Sequence, residues 1–78
     1  MNLAEEIHAV VSKTISNSEV TVRDMTGGGD HFEVFVVTPA FRGKTLIEQH
    51  QIVHAALEPL KDKIHAVKIK TFAPRGES

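Results

Sequence analysis

The stretch His31-Phe32-Glu33-Val34-Phe35-Val36-Val37-Thr38 constrains this chain more than any other. Successive side chains of an extended strand point to opposite faces, so Phe32, Val34 and Val36 share one face while Phe35 and Val37 share the other. A strand apolar on both faces belongs in the middle of a sheet. Its limits are also legible. Gly27-Gly28-Gly29-Asp30 makes a turn ahead of it, and Pro39 ends it, because proline has no N–H to give to a central ladder.

The rest of the chain supplies the neighbours. Val20 and Val22 alternate with Thr21 and Arg23, predicting a half-buried strand that forms a hairpin with the central one across the glycine turn. A last strand runs from His65 to Phe72 and sets Val67 and Ile69 against outward Lys68 and Lys70. Between Asn2 and about Ser16, Leu3, Ile7, Val10, Val11 and Thr14 recur at the spacing of a helix stripe, with Asn2 as N-cap and Glu5 and Glu6 at the positive end of the dipole. A second helix is expected from about Thr45 to Leu57, with Leu46, His50, Val53 and Leu57 on its inner stripe. Pro59 stops or resets that helix and leaves at most a short helical turn through Lys63. The order is αββα(α)β. The third strand returns after a helical excursion, so the expected fold class is α+β: a three-stranded mixed sheet with helices packed on one face. The other face stays open. Residues 1–78 read as a single domain, with 75–78 as a disordered tail.

Composition narrows the function. At 78 residues, with 41% apolar and 24% charged side chains, the chain can build one core that supplies only a few kcal/mol of net stability. It has no cysteine, which excludes a disulfide scaffold and any site made only of its own thiolates. Runs such as Val34 to Val37 are too short to span a bilayer, and Glu5 and Glu6 replace the basic start of a secretion signal, so a cytoplasmic protein with no membrane contact is expected. A net charge of -1 creates no global field for nucleic acid. An enzyme is not expected: the chain has no cysteine nucleophile, no G-x-S-x-G and no phosphate loop, and its triple glycine joins two strands instead of opening a helix.

Histidines carry what chemistry remains. His65 stands at the mouth of the last strand and is the best candidate metal ligand; His31 is delivered by the glycine loop to the start of the central strand. If these strands are neighbours, the two imidazoles can meet. His50 and His54 are spaced i, i+4, but no glutamate completes an H-E-x-x-H pattern, and both read as structural or surface residues. His8 lies one position from the core stripe and reads as solvated.

Three blocks in order, Asp30-His31-Phe32-Glu33-Val34-Phe35-Val36-Val37, Phe41-Arg42-Gly43-Lys44 and Ile64-His65-Ala66-Val67-Lys68-Ile69, give the chain a resemblance to the BolA-like proteins over roughly residues 2 to 74. Within that family it is similar to the bacterial IbaG branch. The resemblance implies a fold related to the class II KH domain and a role in iron-sulfur cluster handling with a monothiol glutaredoxin. In such a complex the glutaredoxin cysteine and glutathione hold one side of a [2Fe-2S] cluster, and the BolA-like partner supplies the histidine corresponding to His65. A second ligand comes from the hairpin loop; here that loop has only glycines, and His31 at the strand edge is the substitute. The tail Pro74-Arg75-Gly76-Glu77 lacks the tryptophan that family members often carry. Alone, the chain is expected to hold no cluster and to be a monomer or weak homodimer. The rival reading is a DNA-binding regulator that uses the helix-turn-helix-like segment 41–57, with Arg42, Lys44, Lys68 and Lys70, joined by Arg75, as a basic patch.

Overall fold

The computed structural model describes residues 2–25, 27–28 and 31–74. Its elements follow the order helix α1 (Leu3–Thr14), strands β1 (Glu19–Asp24) and β2 (His31–Val37), a single 3-10 turn (Pro39–Phe41), helix α2 (Leu46–Leu57), a second 3-10 turn (Glu58–Leu60) and strand β3 (Ala66–Phe72). The expected tail at 75–78 lies outside the described residues, as does Arg75 of the basic patch. Both helices begin with a capping box. The Asn2 side chain accepts from the Glu5 N–H and the Glu5 carboxylate accepts from the Asn2 N–H; Thr45 and Glu48 repeat the exchange at α2. Such caps satisfy backbone donors that a helix start leaves unpaired.

The sheet order is β1-β2-β3, with β2 in the middle as its two apolar faces require. β1 runs antiparallel to β2, pairing Val22 with Val34, and β3 runs parallel to β2, pairing Val34 with Ile69. This is the mixed sheet that the crossover through α2 dictates. The helix-covered face buries Phe32, Val34, Val36 and Ile69 against Ile7 and Val11 of α1 and Val53, Ala56 and Leu57 of α2. Phe41, only 1% exposed, plugs the end of this core from the first 3-10 turn. Buried Thr38 fixes that corner. Its hydroxyl donates to the Ser16 carbonyl at 3.1 Å and accepts from the Ala40 N–H, while its own N–H donates to the Phe72 carbonyl.

Two details depart from expectation. Leu46 was expected on the inner stripe of α2 but is 62% exposed, as is Ile47 at 71%. The inward position on that turn belongs to Gln49, whose amide donates to the carbonyls of Phe41 and Lys44 and whose oxygen accepts from the Thr71 hydroxyl at 2.5 Å. Polar contacts to the corner and to β3 therefore set the rotation of α2, and its apolar stripe starts one turn later. Likewise Thr14 is exposed and Ile15, 5% exposed, takes the core position, because α1 ends there and the chain turns inward in extended conformation.

The face without helices is not bare at its centre. Glu33 is only 4% exposed, lying between Arg23 of β1 and Lys70 of β3, each 3.7 Å from its carboxylate. Phe35 and Val37 are half-buried on the same face, and the Lys70 ammonium lies 5.9 Å from the centre of the Phe35 ring.

Candidate metal centre at the start of the parallel strands

Parallel strands begin at the same end of a sheet, and here a histidine stands at the first residue of β2 and just before that of β3. His31 opens β2 and is paired in register with Ala66, which places His65, immediately before β3, alongside it. The two imidazole rings touch edge to face, with centroids 5.2 Å apart and planes at 77°. The expectation that neighbouring strands would bring these histidines together is met. The backbone supports the pair from both sides: the His31 carbonyl accepts from the Met25 N–H at 2.8 Å, closing the hairpin, and the Ile64 N–H bonds to the Leu60 carbonyl, fixing the turn that leads into His65. His65 is exposed and His31 is half-buried, so the pair faces solvent on the His65 side.

Two neutral imidazoles offer two nitrogen donors. Among the described residues no group of three or more His, Cys, Asp or Glu side chains gathers around a point that could hold a metal ion. A tetrahedral metal bound here needs ligands beyond the two imidazoles, and no other described residue gathers to supply them. The donor set fits half of a shared site.

Beside His65 runs a groove of about 240 Å3 lined by His54, Leu57 and Glu58 from the end of α2, Lys61 and Ile64 from the turn, and Val67 of β3. Its floor is apolar and its rim is charged. Glu58 and Lys61 form an exposed ion pair at 2.7 Å, and the hydrogen bond to Glu58, followed by the charge of its carboxylate, holds the Lys61 ammonium above its usual pKa. His54 shares this groove with His65, whereas His50 lines a different groove with Leu46 and Phe72. His50 and His54, read from their spacing as structural or surface residues, thus line two separate grooves. The position of His54 beside His65 depends on α2 running antiparallel to β3, which no local pattern encodes.

The proposed basic residues sit on separate elements. Lys68 and Lys70 lie on the uncovered sheet face, with Lys70 against Glu33; Arg42 and Lys44 flank Gly43 in the turn before α2, and Arg42 donates to the Pro74 carbonyl at 3.3 Å. Gly43 has φ +77, the left-handed conformation that glycine adopts readily. Segment 41–57 contains one twelve-residue helix preceded by a three-residue 3-10 turn, so it offers a single helix where a helix-turn-helix needs two. His8 is exposed on α1, as its position one step from the core stripe suggests.

The model of the BolA-like protein family matches residues 3–76. The chain belongs to the BolA-like family. It is 38% identical to the acid stress protein IbaG of Escherichia coli over 71 residues, covering 88% of this chain and 81% of that one. It is 42% identical to protein BOLA2 of Arabidopsis thaliana over 67 residues, 85% of this chain and 72% of the relative. Among solved structures, a bolA protein homologue from Coxiella burnetii superposes with a TM-score of 0.80 at 32% identity, covering 95% of this chain and 94% of its own. The resemblance carried by the three sequence blocks thus extends to the whole BolA-like fold. Among the described residues of this BolA-like protein, no helix is long and apolar enough to cross a membrane.

Proposed function

We propose that this BolA-like protein is a cytoplasmic adaptor in iron-sulfur cluster trafficking or iron-linked regulation, sharing a [2Fe-2S] cluster with a monothiol glutaredoxin. The glutaredoxin cysteine and glutathione ligate one side, and His65 with His31 ligates the other. The edge contact of the two imidazoles at 5.2 Å carries this reading, since it brings two nitrogen-bearing side chains together at a partly exposed end of the sheet. The cluster is cargo here. Imidazole replaces thiolate charge with a neutral donor, which raises reduction potential and makes the cluster more labile. That suits transfer or sensing better than storage. The incomplete donor set supports a shared site over one held by this chain alone.

The test is a titration of cluster-loaded monothiol glutaredoxin with this protein, followed by visible absorption and circular dichroism. A new spectrum saturating at one partner per glutaredoxin is expected. His65→Ala should abolish it with the far-ultraviolet spectrum of the fold unchanged, His31→Ala should hasten cluster loss, and His50→Ala should behave as wild type. A glutaredoxin spectrum unmoved by the wild-type protein would overturn the proposal. Unfolding of His65→Ala would instead assign that histidine a structural role.

A further inference from the structure

β3 is an edge strand: it pairs with β2 on one side only. The Thr38 N–H donates to the Phe72 carbonyl at 3.1 Å, so the backbone of Phe72 faces β2, and by alternation so do those of Lys70 and Lys68. The N–H and C=O groups of Val67, Ile69 and Thr71 therefore point to the free edge. Next to that edge lies a shallow groove of about 380 Å3, walled by Leu46 and His50 of α2 and by Ile69 to Phe72 of β3. Leu46, at 62% exposure, and Phe72, at 50%, give it an apolar rim.

We infer that this edge is a docking site for an extended acidic segment of another protein, which adds a fourth strand beside β3. Main-chain hydrogen bonding along an exposed edge gives such a strand affinity, and alternate side chains give it selectivity. Charge identifies the occupant. Lys68 and Lys70 project on one face of β3; Lys70 lies against Glu33 of β2, and exposed Lys68 is the cation that a carboxylate on an added strand would meet. On the other face, Leu46 and the groove take apolar side chains, while Phe72 ends the lysine face with an apolar side chain. The fitting segment thus alternates acidic and apolar residues. The other free edge, β1, suits such a segment less well, because on the same face it presents Glu19 and its Arg23 lies against Glu33.

Charge also argues against a second copy of this chain. Antiparallel pairing of β3 with β3 about Ile69 would place Lys68 opposite the partner copy's lysine, and like charges directly opposed destabilise a ladder. A nucleic acid has donors and acceptors on its bases but no aliphatic side chains for the groove, so it fits less well than a peptide that alternates acidic and apolar residues. The docking edge begins at Val67, which also lines the groove beside His65, but it uses neither histidine of the pair and does not depend on cluster binding.

The experiment titrates the 15N-labelled protein with a synthetic peptide of alternating valine and glutamate, matched to the seven residues of β3. The amides of Val67, Ile69 and Thr71 should shift and gain protection from exchange. N-methylating one alternate set of peptide residues should weaken binding at least about tenfold, and N-methylating the other set should leave it unchanged, because only one set faces the edge. Lys68→Glu should also weaken binding, whereas His65→Ala should not. Equal effects of the two N-methylated peptides, or shifts confined to Glu19–Asp24, would overturn the proposal. So would concentration-dependent self-association through β3 without peptide, or equal displacement by a single-stranded oligonucleotide.

Discussion

Two pairs of histidines in this molecule show opposite relations between sequence and space. His50 and His54 are four residues apart on one helix, the spacing at which side chains are neighbours, yet they line different grooves. His31 and His65 are separated by β2, α2 and two turns, yet their rings are in contact. α2 lies along β3, so one helical turn, about 5.4 Å, carries a side chain from one groove to the next. Parallel pairing of β2 and β3 does the reverse, aligning two strand starts that are distant in the chain. Local spacing proposes partners; strand register decides which of them meet.

That contrast can be broken most severely at Phe32, which follows His31 and is only 2% exposed on the opposite face of β2. Phe32→Ala should cost about 3–5 kcal/mol, comparable to the whole stability of a domain this small. Urea unfolding should show a chain largely unfolded near room temperature, with the nuclear Overhauser contact between the His31 and His65 rings lost. Retention of that contact would show that the loops alone hold the pair.

A smaller effect should separate the two pairs. Thr45→Ala removes the N-cap of α2 and should cost about 1 kcal/mol, increasing hydrogen exchange in the first turn, near His50. The contact between His31 and His65 should persist, because β2, β3 and the turn at Ile64 hold it. Loss of that contact in the variant would show that α2 positions both pairs together.

The smallest change is expected at the groove beside His65. The Lys61 pKa is raised in the folded state, so the contribution of its pair with Glu58 is present below the unfolded lysine pKa of 10.5 and is lost as pH rises through the folded value. Both partners are exposed, which makes the contribution slight. Lys61→Met should therefore unfold like the wild type at neutral pH, in urea melts at low and high salt alike. A clear loss of stability at neutral pH would mean that the charge pair with Glu58, and not the apolar stem that methionine keeps, holds the turn beside His65.

Much of the fold follows from local chemistry. The two apolar faces of β2 require neighbours on both sides, Asn2 and Thr45 start helices because their oxygens satisfy free N–H groups, and Pro39 and Pro59 end elements because they lack a donor. The inner stripe of α2 was not legible in the same way. Leu46 is the more apolar residue, but Gln49 has three polar partners at the corner and on β3, and these outweigh the burial of one leucine. Glu33 is a similar case: a carboxylate on the uncovered face is expected to be solvated, and cations from both neighbouring strands cover it instead.

The sequence by itself determined which elements form, where they stop, that β2 is central and which histidines stand at strand mouths, because each of these depends on side chains within a few residues. Only the tertiary structure decided that His31 meets His65, that His54 and not His50 borders that pair, and that β3 keeps a free edge beside an apolar groove. Those outcomes depend on strand register and on the direction in which α2 crosses the sheet, which are set by the packing of the whole core and not by any segment alone.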